Sequence, residues 1–471
     1  MNPRVFREYD IRGVADVDLD DELVADLGRA LAARIVDGGG GARQPRPRVA
    51  VGRDCRLTSP RLRDALCRGL TETADVVDLG MVPTPVLYYA VASLDVDGGA
   101  MITGSHNPAP DNGFKLLAGD QALYGDGIAA LRRWIEARRA GAAHGEAVAA
   151  SHGARGELVE HDLGPMYLEA ADACLRLGPR RFRIVVDAGN GAAGPLAVAL
   201  YRALGFDVVP LYCEPDGRFP HHHPDPTVEE NLEALRAAVR EHGAEVGLAL
   251  DGDGDRLGAI DGRGRVLWGD QLMILLGRAV AAEVPGARFV GEVKCSQAMY
   301  DELAKAGGRP EMWKVGHSLI KARMKETGAQ LAGEMSGHLF FAHRWFGFDD
   351  ATYAGGRLLE LLSRGAATLA ELADGLPVMV NTPELRVACD DARKFDVVAR
   401  VTAAMRARAD VVEVIDLDGV RARFDGGWGL VRASNTQPAL VVRCEARDAA
   451  RLAELRAIVE GAIGAAMEAA S

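Results

Sequence analysis

Asp251, Asp253 and Asp255, in the run DGDGDR that ends on Arg256, are the strongest chemical signal in the chain. They follow the apolar segment VGLAL, and side chains at i, i+2 and i+4 of an extended chain point the same way. Three like charges converging at a strand end repel one another unless a cation neutralises them. Hard oxygen ligands with spare positions suit Mg²⁺. A calcium EF-hand loop is excluded, because it wants Gly at its sixth position and Glu at its twelfth, where Arg256 and Gly262 stand. The plainer reading, a solvated acidic turn, fits poorly between an apolar strand and an arginine.

A serine occupies a second loop, residues 103–108 (TGSHNP), again after an apolar strand. On a strand-to-helix turn Ser105 is well placed as a nucleophile. It is not a hydrolase elbow, since Asn107 replaces the second glycine of G-x-S-x-G. Alone, a helix N-cap is the simpler role; beside a metal triad and phosphate binders, the nucleophile is favoured. Residues 333–338 (GEMSGH) put Glu334, Ser336 and His338 close together. They offer the donors and acceptors that sugar hydroxyls need, against the rival reading of a polar turn. Residues 432–438 (RASNTQP) combine Arg432, Ser434, Asn435 and Thr436 after a strand, a composition suited to a phosphate nest.

Two motifs point elsewhere. Residues 189–194 (GNGAAG) follow a strand, open a helix and have an acid, Glu214, at the end of the next strand. That satisfies a dinucleotide fingerprint and makes a nucleotide-dependent oxidoreductase the rival function. It leaves the triad, the serine loop and the phosphate nest without roles, and the same glycines serve for close helix–strand packing. His221, His222 and His223 are consecutive; neighbours in an extended chain point apart, so they read as a structural loop.

The elements that must position these loops alternate. Strands are expected at 48–52, 74–79 and 99–103, with a helix at 59–73 whose Leu62, Leu66 and Leu70 share one face. The rhythm recurs at 183–187, 207–211 and 246–250, and again at 288–293 and 330–332. This implies three related α/β units with mostly parallel sheets, each ending a strand on one functional loop. Ligands of such sheets sit beyond the carboxyl ends of the strands. Past residue 377, strands at 384–388, 411–416, 420–424, 428–432 and 440–444 and helices at 394–406 and 449–466 suggest a smaller α+β domain. The expected domains are 1–155, 156–262, 263–376 and 377–471, with a linker at 137–156 and a tight turn at 261–265 near the second junction.

Bulk composition agrees. At 471 residues, the chain suggests about three domains. A net charge of −12 disfavours nucleic acid as a partner. No apolar run suits a membrane span and the polar N-terminus lacks a signal-peptide core, so a cytoplasmic protein without membrane association is expected. Seven scattered cysteines without a CxxC pair suggest neither disulfides nor zinc.

These motifs, with FREYDIRG at 6–13 and KVGHSLIK at 314–321, run in one order along the whole chain. The sequence resembles the α-D-phosphohexomutase superfamily, and within it the bacterial phosphomannomutase/phosphoglucomutase family. The resemblance implies three α/β mixed-sheet domains and a fourth, C-terminal α+β domain around a central cleft. It implies a phosphorylated Ser105 and Mg²⁺ held by Asp251, Asp253, Asp255 and the phosphoserine. Arg12, Lys115, His106 and Arg256 would serve catalysis, with Arg12 and Lys115 as acid–base or electrostatic helpers. Tyr9, Lys294, Gly316, His317, Glu334, Ser336 and His338 would line the substrate, while Arg432, Ser434, Asn435 and Thr436 would bind its non-reacting phosphate. The implied partner is a phosphosugar, with a hexose 1,6-bisphosphate as intermediate and activator, and the implied state a monomer or weak homodimer. The glucosamine branch tends to show TASHNP, EQSGH and RPSGTEP, so phosphoglucosamine mutase is the nearer alternative and is disfavoured. A catalytically silent sugar-phosphate sensor is a third class.

Overall fold

The computed structural model describes residues 1–37, 46–141, 154–435 and 437–469. Thr436 and most of the expected linker at 137–156 lie outside the described residues. The chain groups into two units: Met1–Leu272 with Ser336–Asp374, and Met273–Met335 with Gly375–Ser471.

In the first unit, short runs rich in Val, Ile and Ala become central strands. The elements are β1 (Ile11–Val14), α1 (Asp21–Asp37), β2 (Arg48–Arg53), α2 (Ser59–Leu70), β3 (Asp75–Met81), α3 (Thr84–Ser93), β4 (Gly98–Ile102), β5 (Asp111–Ala118), α4 (Asp126–Arg139) and β6 (Leu158–Glu160). The strand order is β1-β5-β4-β2-β3-β6. β4, β2, β3 and β6 are parallel, whereas β5 runs antiparallel to both β4 and β1. One face of the sheet, with Val49, Val51, Ala100 and Phe114, packs on apolar stripes of α1, α2 and α4. Residues of alternate parity face α3; a Cβ on Gly99 would lie 3.0 Å from Val91. Burial on both faces explains why β2 and β4 read as unbroken apolar runs.

A second sheet follows, built from β7 (Arg183–Asp187), α5 (Gly194–Ala203), β8 (Asp207–Leu211), α6 (Glu233–Glu241), β9 (Val246–Leu250), β10 (Leu257–Asp261) and β11 (Val266–Leu267). Its order is β11-β10-β9-β7-β8, parallel among β8, β7 and β9 and antiparallel beyond. The turn expected at 261–265 closes the β10–β11 hairpin. The helix Ala351–Arg364 completes this unit.

The second unit holds β12 (Arg288–Glu292), α7 (Gln297–Lys305), β13 (Arg309–Trp313), α8 (His317–Thr327) and β14 (Leu331–Gly333), with β12 parallel to both neighbours. It also holds an antiparallel sheet of β15 (Leu385–Ala388), β16 (Val411–Ile415), β17 (Val420–Phe424), β18 (Gly427–Ala433) and β19 (Ala439–Ala446), covered by α9 (Lys394–Arg406) and α10 (Ala449–Ala469). Buried Arg421 ties the two together. It lies 3.8 Å above the Trp428 ring and donates to Val293 O at 2.6 Å and Cys295 O at 2.7 Å.

The expected strands and helices are present within a few residues. The sheets are mixed, as the resemblance implies, and most of their strands run parallel, as the alternating rhythm implies. Each α/β sheet of the first unit reverses direction after its functional loop. The loop is therefore the connection of an antiparallel strand pair, which needs only a short link and no crossover helix.

Candidate active site

The serine loop leaves β4 and enters β5, so Ser105 sits on a strand-to-strand connection and not on the expected strand-to-helix turn. No helix follows for it to cap. Ser105 is buried and holds a left-handed φ of 49°, a conformation uncommon for a residue with a Cβ. Its N–H donates to Thr103 Oγ1 at 2.7 Å. Its Oγ lies 3.0 Å from Asp251 Oδ2 and 3.0 Å from His106 Nδ1.

The aspartate loop joins β9 to β10. It is a turn, with φ of 75° at Gly254, and not an extended segment. The carboxylates nevertheless converge: Asp251, Asp253 and Asp255 offer oxygens within 4.8 Å of one another, and all three residues are fully buried. A Cβ on Gly252 would stand 2.5 Å from Ser105 O. Glycine there lets the two loops touch.

Lys115, on β5, supplies the counter-charge. Its ammonium donates to Asp253 Oδ2 at 2.7 Å and also to Asp255. Thr84 Oγ1 donates to Asp253 Oδ2 at 2.6 Å. Burial works against the Lys115 ammonium, but Asp253 and Asp255 outweigh it and hold its pKa well above the usual value. Burial likewise opposes ionisation of Asp253, yet Lys115 and the Thr84 hydroxyl keep that carboxyl below the usual range. Asp251 is pushed well above its ordinary value by burial and by repulsion from Asp255 and Asp253.

This donor set fits a divalent cation. Three carboxylates against one ammonium leave excess negative charge in a water-poor site. Asp253 Oδ1 and Asp255 Oδ1 are buried without a hydrogen-bond donor. Buried carboxylate oxygens in that state are expensive unless a cation meets them.

Arg12, His106, Arg256 and His338 gather around this centre. Arg12, on β1, donates to Asn107 Oδ1 at 2.7 Å and pairs with Asp10. Arg256 donates through Nε to His338 Nε2 at 3.0 Å. His338 Nδ1 faces Asp349 at 3.1 Å and Asp255 at 3.6 Å. His338, expected with the sugar-binding residues, thus stands in the triad cluster. Half-buried His106 is held well below its ordinary pKa by desolvation and by the neighbouring cations Arg256 and Arg12. Tyr9 is half-buried just before β1, and Ser336 is half-buried in its loop.

In the second unit, Glu334 Oε1 accepts from Gly316 N–H at 2.7 Å. Gly316 has φ of 127° and opens α8, where His317 lies 3.2 Å from Lys321 Nζ. Lys294 pairs with Glu384 at 3.3 Å and Glu292 at 3.6 Å. Burial pushes Glu292 up to about 7, against the pull of Lys294. Arg432, buried on β18, is aimed by Asp418, which accepts from it at 3.1 Å. Ser434 donates its N–H to Ala439 O at 2.9 Å, and Asn435 is half-buried.

Three contributors escaped sequence reading: Thr84, Asp349 and Arg56. Thr84 and Arg56 lie far along the chain from the side chain or loop they serve, Asp349 lies past the strand Leu339–Phe341 from His338, and none is in a motif of its own. The oxidoreductase reading is set aside by geometry. In the loop at 189–194, Gly189 N–H donates to Asp187, Asn190 N–H to Tyr212 O, Gly191 N–H to Ala188 O and Ala192 N–H to Gly252 O. A Cβ on Gly194 would lie 2.3 Å from Cys213 O. The glycines serve close packing, and the donors a pyrophosphate requires are spent. His221 stacks on Tyr212 at 3.9 Å and His222 Nε2 contacts Asp187 at 3.0 Å, as a structural loop would.

Comparison with known proteins meets this geometry. Family models described as phosphoglucomutase/phosphomannomutase alpha/beta/alpha domains I, II and III match residues 3–140, 165–264 and 268–379. The model of the family's C-terminal domain matches 384–462. The chain belongs to the phosphoglucomutase/phosphomannomutase family. This phosphohexomutase is 43% identical over 456 residues to phosphomannomutase/phosphoglucomutase of Pseudomonas aeruginosa, covering 96% of this chain and 94% of that one. It is 42% identical over 443 residues to a phosphoglucomutase of Neisseria gonorrhoeae, covering 94% and 93%. A crystal structure of a phosphoglucomutase/phosphomannomutase family protein from Burkholderia thailandensis superposes with a TM-score of 0.89 at 41% identity, covering 98% of each chain. Among the described residues, no helix is long and apolar enough to cross a membrane.

Proposed function

We propose that this phosphohexomutase interconverts the 1- and 6-phosphates of glucose and mannose through phosphorylated Ser105, and that Asp251, Asp253 and Asp255 hold Mg²⁺ beside it. The observation that carries this reading is the 3.0 Å approach of Ser105 Oγ to Asp251 within the buried, oxygen-rich triad. When bound, the metal supplies charge compensation for the phosphoryl group in transit.

The chain's own residues do the rest. The phosphoryl group leaves Ser105 Oγ for O6 of a hexose 1-phosphate; the Oγ–P bond breaks, the O6–P bond forms, and the O6 proton passes to a base while Ser105 Oγ is reprotonated. The bisphosphate then presents its other end, and its O1 phosphoryl returns to Ser105 in the reverse step. Lys115, held charged against Asp253 and Asp255, and Arg12, anchored on Asn107, flank the serine loop and aspartate loop as electrostatic or acid–base helpers. Neutral His106 is within reach of Ser105 Oγ. Glu334 and Ser336 bind sugar hydroxyls, and Arg432, Ser434, Asn435 and Thr436 bind the phosphate that is not reacting. That nest meets either phosphate in turn, so it reads charge and not sugar geometry. Grip on O3 and O4 leaves C2 unread, which admits both glucose and mannose.

The test couples formation of the 6-phosphate to a dehydrogenase readout, starting from glucose, mannose or glucosamine 1-phosphate with Mg²⁺ and a trace of bisphosphate. Glucose and mannose substrates should turn over, EDTA should stop the reaction, and mass spectrometry should map one phosphoryl adduct to Ser105. An adduct elsewhere together with full turnover by Ser105→Gly would end the proposal.

A further inference from the structure

Arg56 lies in the loop after β2 and is among the largest fully buried side chains, 1% exposed. It belongs to none of the loops that carry the proposed chemistry. Its guanidinium nevertheless grips the serine loop. One terminal nitrogen donates to Ser105 O at 2.7 Å and Asn107 O at 2.5 Å. The other donates to Pro108 O at 2.6 Å and Asp111 O at 2.8 Å. Nε lies 3.2 Å from Asp54 Oδ2, which also accepts from Gly104 N–H at 3.1 Å. The Phe219 ring lies 5.1 Å from the guanidinium carbon.

The arrangement has a physical cause. A tight loop that places a non-glycine residue at positive φ turns several carbonyls inward: Pro108 O accepts from Asp111 N–H at 2.9 Å as well as from Arg56, and Ser105 O and Asn107 O are met by the guanidinium. Unpaired buried carbonyls are costly. A planar guanidinium presents five donors in a fixed fork and meets several acceptors at once, which a point-like ammonium does not. Burying one cation against one carboxylate is justified here because four carbonyl dipoles add to Asp54. Room for it is reserved: a Cβ on Gly104 would lie 2.4 Å from Arg56 Nε. The Ser105 carbonyl is thereby trapped, with the guanidinium donating to it and Gly252 pressed close.

We propose that Arg56 is the positioning residue of the serine loop: by binding three of its carbonyls and that of Asp111 at the start of β5, it fixes the backbone of Ser105 so that Oγ meets the aspartate triad. The inference rests on Ser105 being the phosphoryl carrier. Arg56 contacts loop backbone, Asp54 and Phe219 in the structure, so its loss acts on the reacting geometry and not on sugar affinity. Displacement of a reacting group by about 1 Å costs on the order of 100-fold in rate.

Two variants test it. Arg56→Lys keeps the charge but cannot span the four carbonyls. Gly104→Ala keeps Arg56 and pushes its guanidinium aside. Both should lower kcat by about 100-fold while KM for glucose 1-phosphate stays within about 3-fold, as misplacement of the nucleophile requires. In the phosphorylated full-length protein, ³¹P NMR should show one sharp phosphoserine resonance for the wild type. In both variants the resonance should broaden and move toward free phosphoserine. If Arg56→Lys does not fold, Gly104→Ala decides. A wild-type kcat per folded molecule in the deciding variant, or a KM effect at unchanged kcat, overturns the proposal. A wild type whose adduct maps elsewhere and whose Ser105→Ala variant turns over fully overturns the carrier reading itself; a Ser105 adduct with unaffected Arg56 and Gly104 variants sinks only the clamp.

Discussion

Replacing Lys115 by Met keeps most of the side-chain volume and deletes the one ammonium that contacts the triad carboxylates. In the wild type that ammonium meets both Asp253 and Asp255 at fully buried oxygens. Removing one partner of a buried ion pair costs about 3–5 kcal/mol, because the other is left uncompensated. For a unit of about 300 residues, unfolding entropy is roughly 0.6 kcal/mol/K, so the cost is a melting temperature lower by about 5–8 °C. That loss should appear in EDTA. In saturating Mg²⁺ the variant should recover more than the wild type gains, since its carboxylates have no competing ammonium and ligand binding stabilises only the folded state. The loss should shrink as pH falls, because Asp251, pushed well above its ordinary pKa by burial and by its neighbours, takes up a proton and relieves the repulsion. Scanning calorimetry of both proteins, with EDTA and with Mg²⁺, reads all of this. Equal Mg²⁺ gains in the two proteins, or an unchanged melting temperature in EDTA, would refute the reasoning that Lys115 and a divalent ion neutralise the same charges.

Arg432→Met should raise KM for glucose 1-phosphate by roughly 10–100-fold, the worth of one lost charge-assisted hydrogen bond set; steady-state kinetics would show it, and an unchanged KM would remove Arg432 from phosphate binding. Asp350 caps the helix Ala351–Arg364 through Tyr353 N–H and accepts from Tyr167 and Trp345. Burial pushes its carboxyl up to about 7, from about 4 in the unfolded chain. The folded state holds the extra proton, so this contribution is fully present below about pH 4 and is lost as pH rises through about 7. The melting temperature of the wild type relative to Asp350→Asn should therefore fall across that window and then level off. Gly194→Ala drives a Cβ to 2.3 Å from Cys213 O and should cost about 1–3 kcal/mol in denaturant unfolding; fluorescence titration should find no NADH binding in the wild type either.

Much of the candidate site was legible in the residues because the proposed metal and phosphate chemistry constrains side-chain type and local spacing. The three aspartates after VGLAL, the serine in TGSHNP and the arginine of RASNTQP each announced themselves within six or seven positions, and apolar runs marked the strands that deliver them. The sequence also disposed of the histidine run and of an EF-hand by spacing alone. Tertiary structure decided what local pattern cannot carry. The aspartates converge through a turn with a left-handed Gly254, not through extended alternation. Ser105 rides between antiparallel strands, because β5 inserts beside β4 and brings Lys115 to the triad. The glycines of GNGAAG proved to be packing space only once Asp251–Gly252 and Cys213 were seen against them. Thr84 and Arg56 act on partners many tens of residues away, and Asp349 on His338 across the strand Leu339–Phe341; no local spacing rule joins them, so three-dimensional packing alone could reveal them: hydrogen bonds and charge pairing depend on distance in space, and chain separation says little about it.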